Sequence, residues 1–526
     1  MKKYDFDCIV IGAGFAGISA LYTLQKQGLK VKVFESGDGI GGTWHFNRYP
    51  GARCDTHSME YSFQFSEELQ QDWDWSEKYA TQPEILRYLN HTVDKFNLRG
   101  DIQLSTRIVD LKWDDTETIW RAKTNHNAQI SARFCIMATG CLSTPNNPFE
   151  KDIKTFLGDI YHTSRWPKVD PDFTGKTVGV IGTGSSALQC IPLIAEKAKS
   201  LFVFQRTANY SVPARNTSLD VNFVSDIKSR YQEFRQENYK QGFGIALPLN
   251  DVSALDVSES DRDKEFESRW QAGGLGFVAS FNDLIFDMDS NIHAQNFLRK
   301  KIRDIVKNQE TADLLSPKTP VSCKRLCVDT GYYATYNRSN VTLVDINSNP
   351  ITDLRPDGIV MGDKVQELDS LIIATGFDAM TGSIMNINIR GRNGISIQEK
   401  WANGPATYLG LATSDFPNLF MITGPGSPSV LSNMVPSIEQ HVNWITECIR
   451  YCSDKNIDSI EADEDAAKDW TTHVDETANT TLLPKVKHSW YLGANIPGKP
   501  HVFMPYAGGL ITYRKICSIV EQGGYS

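Results

Sequence analysis

The chain has 526 residues, of which 40% are hydrophobic and 10% aromatic, and its formal net charge is -9. That length predicts about three domains, and the composition excludes a largely disordered chain. The acidic balance, without a long basic run, argues against a nucleic acid as partner. The sequence contains no stretch of about 18 uninterrupted apolar residues, so we expect no membrane-spanning helix. No signal peptide is visible either, and we expect a cytoplasmic protein.

The ten cysteines are scattered along the chain, a pattern that suits a reducing compartment. Two C-x3-C pairs occur, Cys323/Cys327 and Cys448/Cys452. Neither pair has the two-residue spacing or the neighbouring histidines of a zinc site. We therefore expect no bound metal.

Residues 7–36 predict a strand, a glycine turn, a helix and a second strand. The turn contains Gly12, Gly14 and Gly17, with the spacing that lets a backbone approach a pyrophosphate at a helix amino terminus. Glu35 ends the second strand, where an acidic side chain accepts from a ribose hydroxyl and repels a 2′-phosphate. The unit therefore favours FAD or NAD as its ligand.

A second unit of the same kind covers residues 177–206. Its turn contains Gly182 and Gly184, and Ala187 replaces the third glycine, which the pattern tolerates. Arg206 stands where the first unit has its acid, and it can pair with the 2′-phosphate of NADP(H). One turn thus favours FAD and the other NADPH, and we expect electrons to pass from NADPH to FAD.

The remaining segments complete the predicted organisation. Apolar strands that end in Ala-Thr-Gly cover 133–140 and 370–376, while the region from 222 to 330 is charged and helix-prone. We predict an α/β fold with two Rossmann-like dinucleotide-binding domains and an inserted helical region. The predicted limits are 1–145 and 385–526 for the FAD-binding domain, 150–220 and 333–382 for the NADPH-binding domain, and 222–332 for the helical insertion.

Three classes of protein can use this pair of ligands. A disulfide reductase needs a cysteine pair just after the first unit, but residues 41–44 read Gly-Gly-Thr-Trp and place Trp44 there. A flavin-based redox sensor or scaffold would leave the basic 2′-phosphate site at Arg206 without a role. A flavin monooxygenase accounts for both turns and is the class we favour.

Two longer patterns carry a resemblance to a known family. Residues 41–55 fit G-G-x-W-x4-Y-P-G-x3-D, and residues 156–166, with Phe156, Gly158, His162 and Trp166, fit F-x-G-x3-H-x3-W. Through them the chain resembles the type I Baeyer-Villiger monooxygenases, which are class B flavin monooxygenases. We interpret His162 as a packing or hinge residue and not as an acid or base. Further similar segments are 329–345, 374–382, 489–499 and, most similar to the phenylacetone monooxygenase branch, the active-site loop 424–444.

The resemblance implies that NADPH reduces FAD, that O2 then forms a C4a-peroxyflavin, and that this species converts a ketone to an ester or lactone. It gives Arg325 the role of the cation that stabilises the tetrahedral adduct, with Asp55 as its partner. The expected partners are a small-molecule ketone and O2, and the oligomeric state stays open between a monomer and a weak oligomer. N- or S-oxygenation is the alternative, because those relatives share the histidine pattern in looser form, and sulfoxidation is an expected side activity.

The resemblance also assigns binding residues to each ligand. For FAD they are Gly12, Gly14, Phe15, Ala16, Gly17, Glu35, Gly42, Thr43, Trp44, Asp55, Tyr61, Ile108 and Met434. For NADP(H) they are Arg53, Asp55, Gly182, Thr183, Gly184, Ser185, Ser186, Ala187, Arg206, Thr207, Lys324, Arg325 and Trp490. For the ketone they are the apolar residues Val430, Leu431 and Met434.

Overall fold

The structure, a computed structural model, describes residues 4–149 and 153–525. The strands in chain order are β1 Phe6–Ile11, β2 Val31–Phe34, β3 Ile102–Gln103, β4 Ile108–Asp114, β5 Ile119–Thr124, β6 Gln129–Met137, β7 Asp159–His162, β8 Thr177–Ile181, β9 Ser200–Gln205, β10 Ser211–Pro213, β11 Cys327–Asp329, β12 Val341–Asp345, β13 Ile351–Arg355, β14 Gly358–Met361, β15 Lys364–Glu367, β16 Ser370–Ile373, β17 Asn388–Arg390 and β18 Leu419–Met421.

The α-helices lie between and after these strands. In chain order they are α1 Phe15–Lys26, α2 Thr43–Phe46, α3 Glu67–Asp72, α4 Gln82–Lys95, α5 Ser185–Lys197, α6 Val221–Ser229, α7 Tyr231–Tyr239, α8 Glu259–Ala272, α9 Met288–Ile305, α10 Gln309–Leu315, α11 Tyr332–Thr335, α12 Gly382–Met385, α13 Ile397–Lys400, α14 Met434–Asp454, α15 Glu464–Asn479 and α16 Gly509–Gln522. Among the described residues, no helix is long and apolar enough to cross a membrane.

The first sheet has the order β17-β4-β5-β6-β1-β2-β3, with β18 paired to the carboxyl end of β6. Strands β1, β2 and β6 run parallel, with Cys8 opposite both Val31 and Phe134. Their side chains are apolar on both faces because α1 and α14 cover one face and a second apolar cluster covers the other. The glycine turn at the end of β1 therefore opens at the carboxyl edge of a parallel sheet, the usual position for a ligand.

The second sheet has the order β12-β9-β8-β16-β7 and is parallel throughout. Its glycine turn connects β8 to α5, so the second unit repeats the geometry of the first. The strands β13, β14 and β15 form a separate antiparallel sheet between β12 and β16 in the chain.

Helices α6 to α10 lie in the chain between β10 and β11, which pair in parallel with Ser211 opposite Cys327. Part of this region has its own buried cluster around Phe266, Phe277 and Leu298, whereas α7 packs on the core of the first sheet through Tyr231. The α/β fold with two parallel dinucleotide-type sheets and an inserted helical region is thus confirmed. The domain limits given above stay a prediction.

Candidate functional site

The first glycine turn is held closely against the sheet. Gly12 has a φ of +109°, and a Cβ there would lie 2.4 Å from the carbonyl oxygen of Ala138. A Cβ on Gly17 would lie 1.8 Å from the carbonyl oxygen of Gly12. Gly14 precedes α1 and offers no side-chain cap. The amide groups at the start of α1 are therefore free to donate to a ligand phosphate.

A cleft of about 370 Å³ opens beside this turn, and we call it the first cleft. Its walls combine the turn, α2, the start of β4 and the start of α14. Most of the residues predicted to bind FAD line it, namely Gly12, Gly14, Phe15, Ala16, Glu35, Gly42, Thr43, Trp44, Tyr61, Ile108 and Met434. Gly17 lies beneath the turn, and Asp55 does not line this cleft.

Glu35 is buried and uses both carboxylate oxygens to order the turn. Oε2 accepts from the amide of Ala13 at 2.8 Å, and Oε1 accepts from the amide of Gly37 at 2.7 Å. The carboxylate faces the first cleft as well. Glu35 therefore stabilises the loop beside the cleft. Its contact with a ribose stays a prediction.

The first cleft also contains polar residues that the sequence analysis missed. Arg107 and Arg165 line it together, and the guanidinium of Arg165 lies 4.3 Å from the ring centre of Phe46. Burial lowers the pKa of Arg165, and the charge of Arg107 lowers it further. No sequence pattern contains both arginines, because Arg107 directly precedes β4 and Arg165 follows β7.

The second glycine turn repeats the first with one difference. Gly182 has a φ of +116°, and a Cβ there would lie 2.4 Å from the carbonyl oxygen of Ala374. Ala187, at the third position, is fully buried in the core of the second sheet. Thr183 donates to the carbonyl oxygen of Thr207 at 2.7 Å, and Ser185 lies 3.3 Å from Cys327 through Oγ and Sγ. Ser186 is the next residue of α5, and Tyr49 donates to Oε1 of Gln189 in the same helix at 2.9 Å.

Two cations converge at the edge of the second turn. Arg206 is exposed, and Lys324 is partly buried next to it. Burial lowers the pKa of Lys324, and the charge of Arg206 lowers it further. Within residues 4–149 and 153–525 neither side chain has an ion-pair partner. Two adjacent cations without a carboxylate fit a dianion such as a 2′-phosphate.

Arg53 and Asp55 end the tryptophan pattern and face the second unit. Arg53 donates to Glu77 at 3.1 Å, and its carbonyl oxygen accepts from Gln189 of α5 at 3.1 Å. The segment is thereby fixed against the helix that begins at the second glycine turn. This contact places Asp55 between the two nucleotide units.

Arg325 and Asp55 form a bidentate ion pair. Nε and Nη2 of Arg325 donate to Oδ2 and Oδ1 of Asp55, both at 2.8 Å, and Nη1 donates to the carbonyl oxygen of Val430 at 2.9 Å. Burial alone would lower the pKa of Arg325, but the charge and hydrogen bonds of Asp55 outweigh burial and raise the pKa. The site therefore holds a permanent cation in one orientation.

A second cavity of about 380 Å³ lies on the other side of Val430, and we call it the apolar pocket. Arg325, Val430 and Leu431 line it together, and their roles as a catalytic cation and two ketone-binding residues stay a prediction. Met434, the first residue of α14, lines the first cleft instead. Walls that the sequence analysis missed come from the helical insertion and include Phe243, Ile245, Leu247, Phe281 and Leu284.

Trp490 lies beside the apolar pocket without lining it. Its ring packs on Tyr491, with 4.4 Å between the centroids. Tyr491 is buried, lines the pocket and faces Arg325, and burial raises its pKa to about 12. The structure thus brings Tyr491 to Arg325, and the contact of Trp490 with NADP(H) stays a prediction.

His162 lies at the end of β7, beside β16 of the second sheet. Its Nδ1 contacts the hydroxyl of Ser164 at 2.7 Å, and burial lowers its pKa. Trp166, four residues later, donates from its amide to the carbonyl oxygen of Phe46 at 3.3 Å. The segment therefore joins the second sheet to α2 of the first cleft, as a packing role requires.

Comparison with known proteins gives full-length relatives. Residues 9–261 match the family described as pyridine nucleotide-disulphide oxidoreductase. The chain is 41% identical to a cyclohexanone 1,2-monooxygenase of Acinetobacter sp. over 100% of this chain and 96% of the relative. It is 42% identical to the phenazine N-monooxygenase PhzNO1 of Lysobacter antibioticus, over 99% and 96% of the two chains. It is 38% identical to a Baeyer-Villiger monooxygenase of Pseudooceanicola batsensis, over 99% and 96%.

Solved structures agree with these relatives. An oxidised steroid monooxygenase bound to NADP is 47% identical, with a TM-score of 0.94 over 99% of this chain and 98% of that one. A structure of OTEMO with FAD and NADP is 37% identical, with a TM-score of 0.96 over 100% and 99%. Together with the placement of Arg325 against Asp55 between two nucleotide turns, these full-length matches show that the chain belongs to the Baeyer-Villiger family of flavin monooxygenases.

Proposed function

We propose that this protein is an FAD- and NADPH-dependent monooxygenase that inserts one oxygen atom of O2 next to a ketone carbonyl and yields an ester or lactone. The position of Arg325 carries the proposal. Arg325 lines the apolar pocket and bonds to the carbonyl oxygen of Val430, the residue that lines both cavities. A fixed cation thus lies where a substrate in the apolar pocket meets a cofactor in the first cleft.

The two nucleotide sites fit the two cofactors of the family. The first cleft offers free amides at the start of α1, the glycine backbone around Gly12 and the aromatic side chains Trp44 and Tyr61, whose Nε1 and hydroxyl are 3.2 Å apart. The second turn offers the start of α5 together with Arg206 and Lys324. When bound, NADPH supplies a hydride and FAD passes the electrons to O2.

Arg325 acts on the substrate side. Negative charge grows on the carbonyl oxygen of the ketone as its carbon is attacked, and the guanidinium is placed to stabilise that charge. Asp55 holds two of the guanidinium nitrogens and Val430 a third, so little reorientation is needed. The walls of the pocket are largely apolar, and a cation acts more strongly on a developing charge in such surroundings than in water.

N-oxygenation is the second candidate because of one specific relative. The phenazine N-monooxygenase is as similar to this chain as the cyclohexanone enzyme is. A flat aromatic heterocycle would be accommodated by the aromatic walls at Phe243 and Phe281. For such a substrate no carbonyl oxygen develops charge, so Arg325 would contribute less to the rate.

The test uses the yellow holoenzyme with NADPH, O2 and a panel of cyclic, linear and aryl ketones, a phenazine and a sulfide. We expect esters or lactones by mass spectrometry. Hydrogen peroxide alone from every ketone would overturn the proposal, and N-oxide as the sole product would support the second candidate.

Arg325→Ala sharpens the assignment. Ester formation should fall by about 10²–10³, the usual effect of removing one stabilising group. Reduction of the flavin by NADPH is measured separately without O2, and the exposed Arg338 gives the matched control Arg338→Ala. Unchanged ester formation in Arg325→Ala would remove Arg325 from the mechanism.

A further inference from the structure

Arg235 on α7 is a buried arginine outside the site described so far. Its side chain is 5% exposed, and among the described residues no carboxylate lies within ion-pair distance. Nη1 donates to the carbonyl oxygen of Glu60 at 3.1 Å, and Nη2 donates to the hydroxyl of Ser62 at 2.6 Å. A buried charge is costly unless its contacts are well ordered, so these contacts must hold α7 firmly on the segment 60–62.

Glu60 connects this arginine to two walls of the apolar pocket. Its Oε1 accepts from the amide of Ala246 at 2.7 Å, and Ala246 lies between the pocket residues Ile245 and Leu247. Its carbonyl oxygen accepts from Nδ2 of Asn433 at 2.9 Å, and Asn433 is a residue of the active-site loop that lines the pocket. Glu60 therefore contacts two walls of the pocket. Its side chain bonds to residues 243–250, which we call the insertion wall, and its backbone bonds to the active-site loop.

The insertion wall needs an external support. Residues 244–250 are outside any helix or strand, and Leu249 at their end is 51% exposed. One further bond joins this wall to the active-site loop, from the amide of Asn433 to the carbonyl oxygen of Phe243 at 2.8 Å. Since a loop of this kind has no ladder of its own hydrogen bonds, its position depends on such contacts.

A second buried carboxyl, Glu439 of α14, completes the polar cluster. Its Oε1 accepts from the amides of Gln64 and Phe65 at 2.7 and 3.0 Å, while Oε2 has no partner among the described residues. Nε of Arg235 and the side-chain amide of Asn238 are also buried without a described partner. Buried polar atoms of this kind are satisfied by ordered water.

Burial raises the pKa of Glu60 and of Glu439 to about 7, and the charge of Arg235 opposes that rise in both. The three groups therefore respond to one another although they form no ion pair. Loss of any one changes the environment of the other two.

We propose that Glu60 and Arg235 are positioning residues that set the width of the apolar pocket. Neither residue lines the pocket or the first cleft. They act through Ala246 and Asn433, and they hold the two walls at a fixed separation. The inference rests on the proposed function, because it takes the apolar pocket as the ketone site.

The test compares Glu60→Ala, Glu60→Gln and Arg235→Met with Arg230→Met. Arg230 precedes α7, has a side chain that is 37% exposed and pairs with Asp226, so its variant controls for loss of an arginine. With loosened walls a small cyclic ketone should lose more contacts than a bulky one. We expect the KM of the small ketone to rise about fivefold relative to that of the bulky ketone in Glu60→Ala, the effect of about one lost hydrogen bond. Glu60→Gln keeps an acceptor for Ala246 and should rescue most of this change.

Hydrogen exchange separates local loosening from general damage and needs no turnover. The amides of residues 243–247 and of Leu249 should exchange faster in Glu60→Ala, while the amides of β8 and β9 stay protected. Uniformly faster exchange, or equal KM changes for both ketones, would overturn the proposal. If the wild-type protein oxygenates no ketone, the proposed function fails, while faster exchange confined to 243–249 still supports the positioning role. If Glu60→Ala does not fold, the same comparisons use Arg235→Met, with Arg235→Lys as its conservative variant.

Discussion

The two glycine turns have nearly the same backbone and differ at two positions. Gly12 and Gly182 both have positive φ, and an added Cβ would lie 2.4 Å from the carbonyl oxygen of the residue that follows the neighbouring strand in each. At the third position, however, a Cβ on Gly17 would lie 1.8 Å from the carbonyl oxygen of Gly12, whereas Ala187 carries its Cβ in a packed core. The helix of the first turn thus lies closer to the turn than the helix of the second.

The second difference is charge at the end of the following strand. Glu35 is buried and bonded to two amides of the first turn, whereas Arg206 is exposed beside Lys324. Substitution of Glu35 would remove two hydrogen bonds that order the first turn. Substitution of the exposed Arg206 would remove no such bond from the second turn. In the first turn, the residue that selects the ligand also stabilises the loop. In the second turn, the selecting residue can be changed without destabilising the loop.

Gly17→Ala should have the largest effect of the changes considered. The added methyl meets backbone that cannot rotate away, so the cost should exceed the ~1–3 kcal/mol typical of overpacking. We expect the purified protein to keep less than about a tenth of its FAD, read from the flavin absorbance per protein, since the strain displaces the start of α1. Ala187→Gly is the matched control, with a cost of about 1 kcal/mol in a helix. A fully yellow Gly17→Ala protein would show that the first turn can relax as the second does.

Removal of the cations at the second turn should have the next largest effect. Arg206→Ala and Lys324→Ala each remove a charged donor from the expected 2′-phosphate, and such a bond contributes about 1.5–3 kcal/mol. The Kd of NADPH should therefore rise about 10- to 100-fold, while the Kd of NADH, which lacks the phosphate, stays within about threefold. Titration of each variant with NADPH and with NADH measures both Kd values, and Lys318→Ala serves as the control. Equal losses for both nucleotides would mean that the residues support the turn and do not select the phosphate.

The parts of the site that the sequence predicts are those whose residues lie within one short pattern. Gly12 and Glu35 belong to one strand-turn-helix-strand unit, and the structure places both in the first cleft. Arg325 and Asp55 lie far apart in the chain, and only the resemblance joined them before the structure showed their 2.8 Å contacts. The α/β fold follows from the same units, because each one requires a parallel strand pair.

The walls of the apolar pocket could not be predicted in the same way. Phe243 and Phe281 come from separate loops of the insertion, and an apolar residue in a loop carries no periodic signal that tells which cavity it faces. The sequence pattern points to Trp490 as the binding residue, but it is the adjacent Tyr491 that lines the pocket. A pattern match cannot decide which of two adjacent aromatic rings faces a cavity. The contact of Glu60 with Ala246 depends on the docking of α7, which is a tertiary event.

The smallest expected effect is a pH dependence of nucleotide selectivity, which distinguishes the contribution of Lys324 from that of Arg206. Burial, and then the charge of Arg206, lowers the pKa of Lys324 from its ordinary value of 10.5. As the pH rises through that lowered pKa, free Lys324 loses its proton, and NADPH must then bind together with a proton. The ratio of Kd for NADH to Kd for NADPH should therefore fall, by about threefold to tenfold, at a pH where an exposed lysine is still charged.

Lys324→Arg tests that cause directly, because a guanidinium keeps its proton throughout this range. In this variant the ratio should stay constant between pH 7.5 and about pH 10, whereas in the wild-type protein it should decline. NADH serves as the internal control, since any alkaline damage to the fold weakens both nucleotides together. A decline that is the same in Lys324→Arg would place the titrating group elsewhere, and the second turn would then owe its selectivity to Arg206 alone.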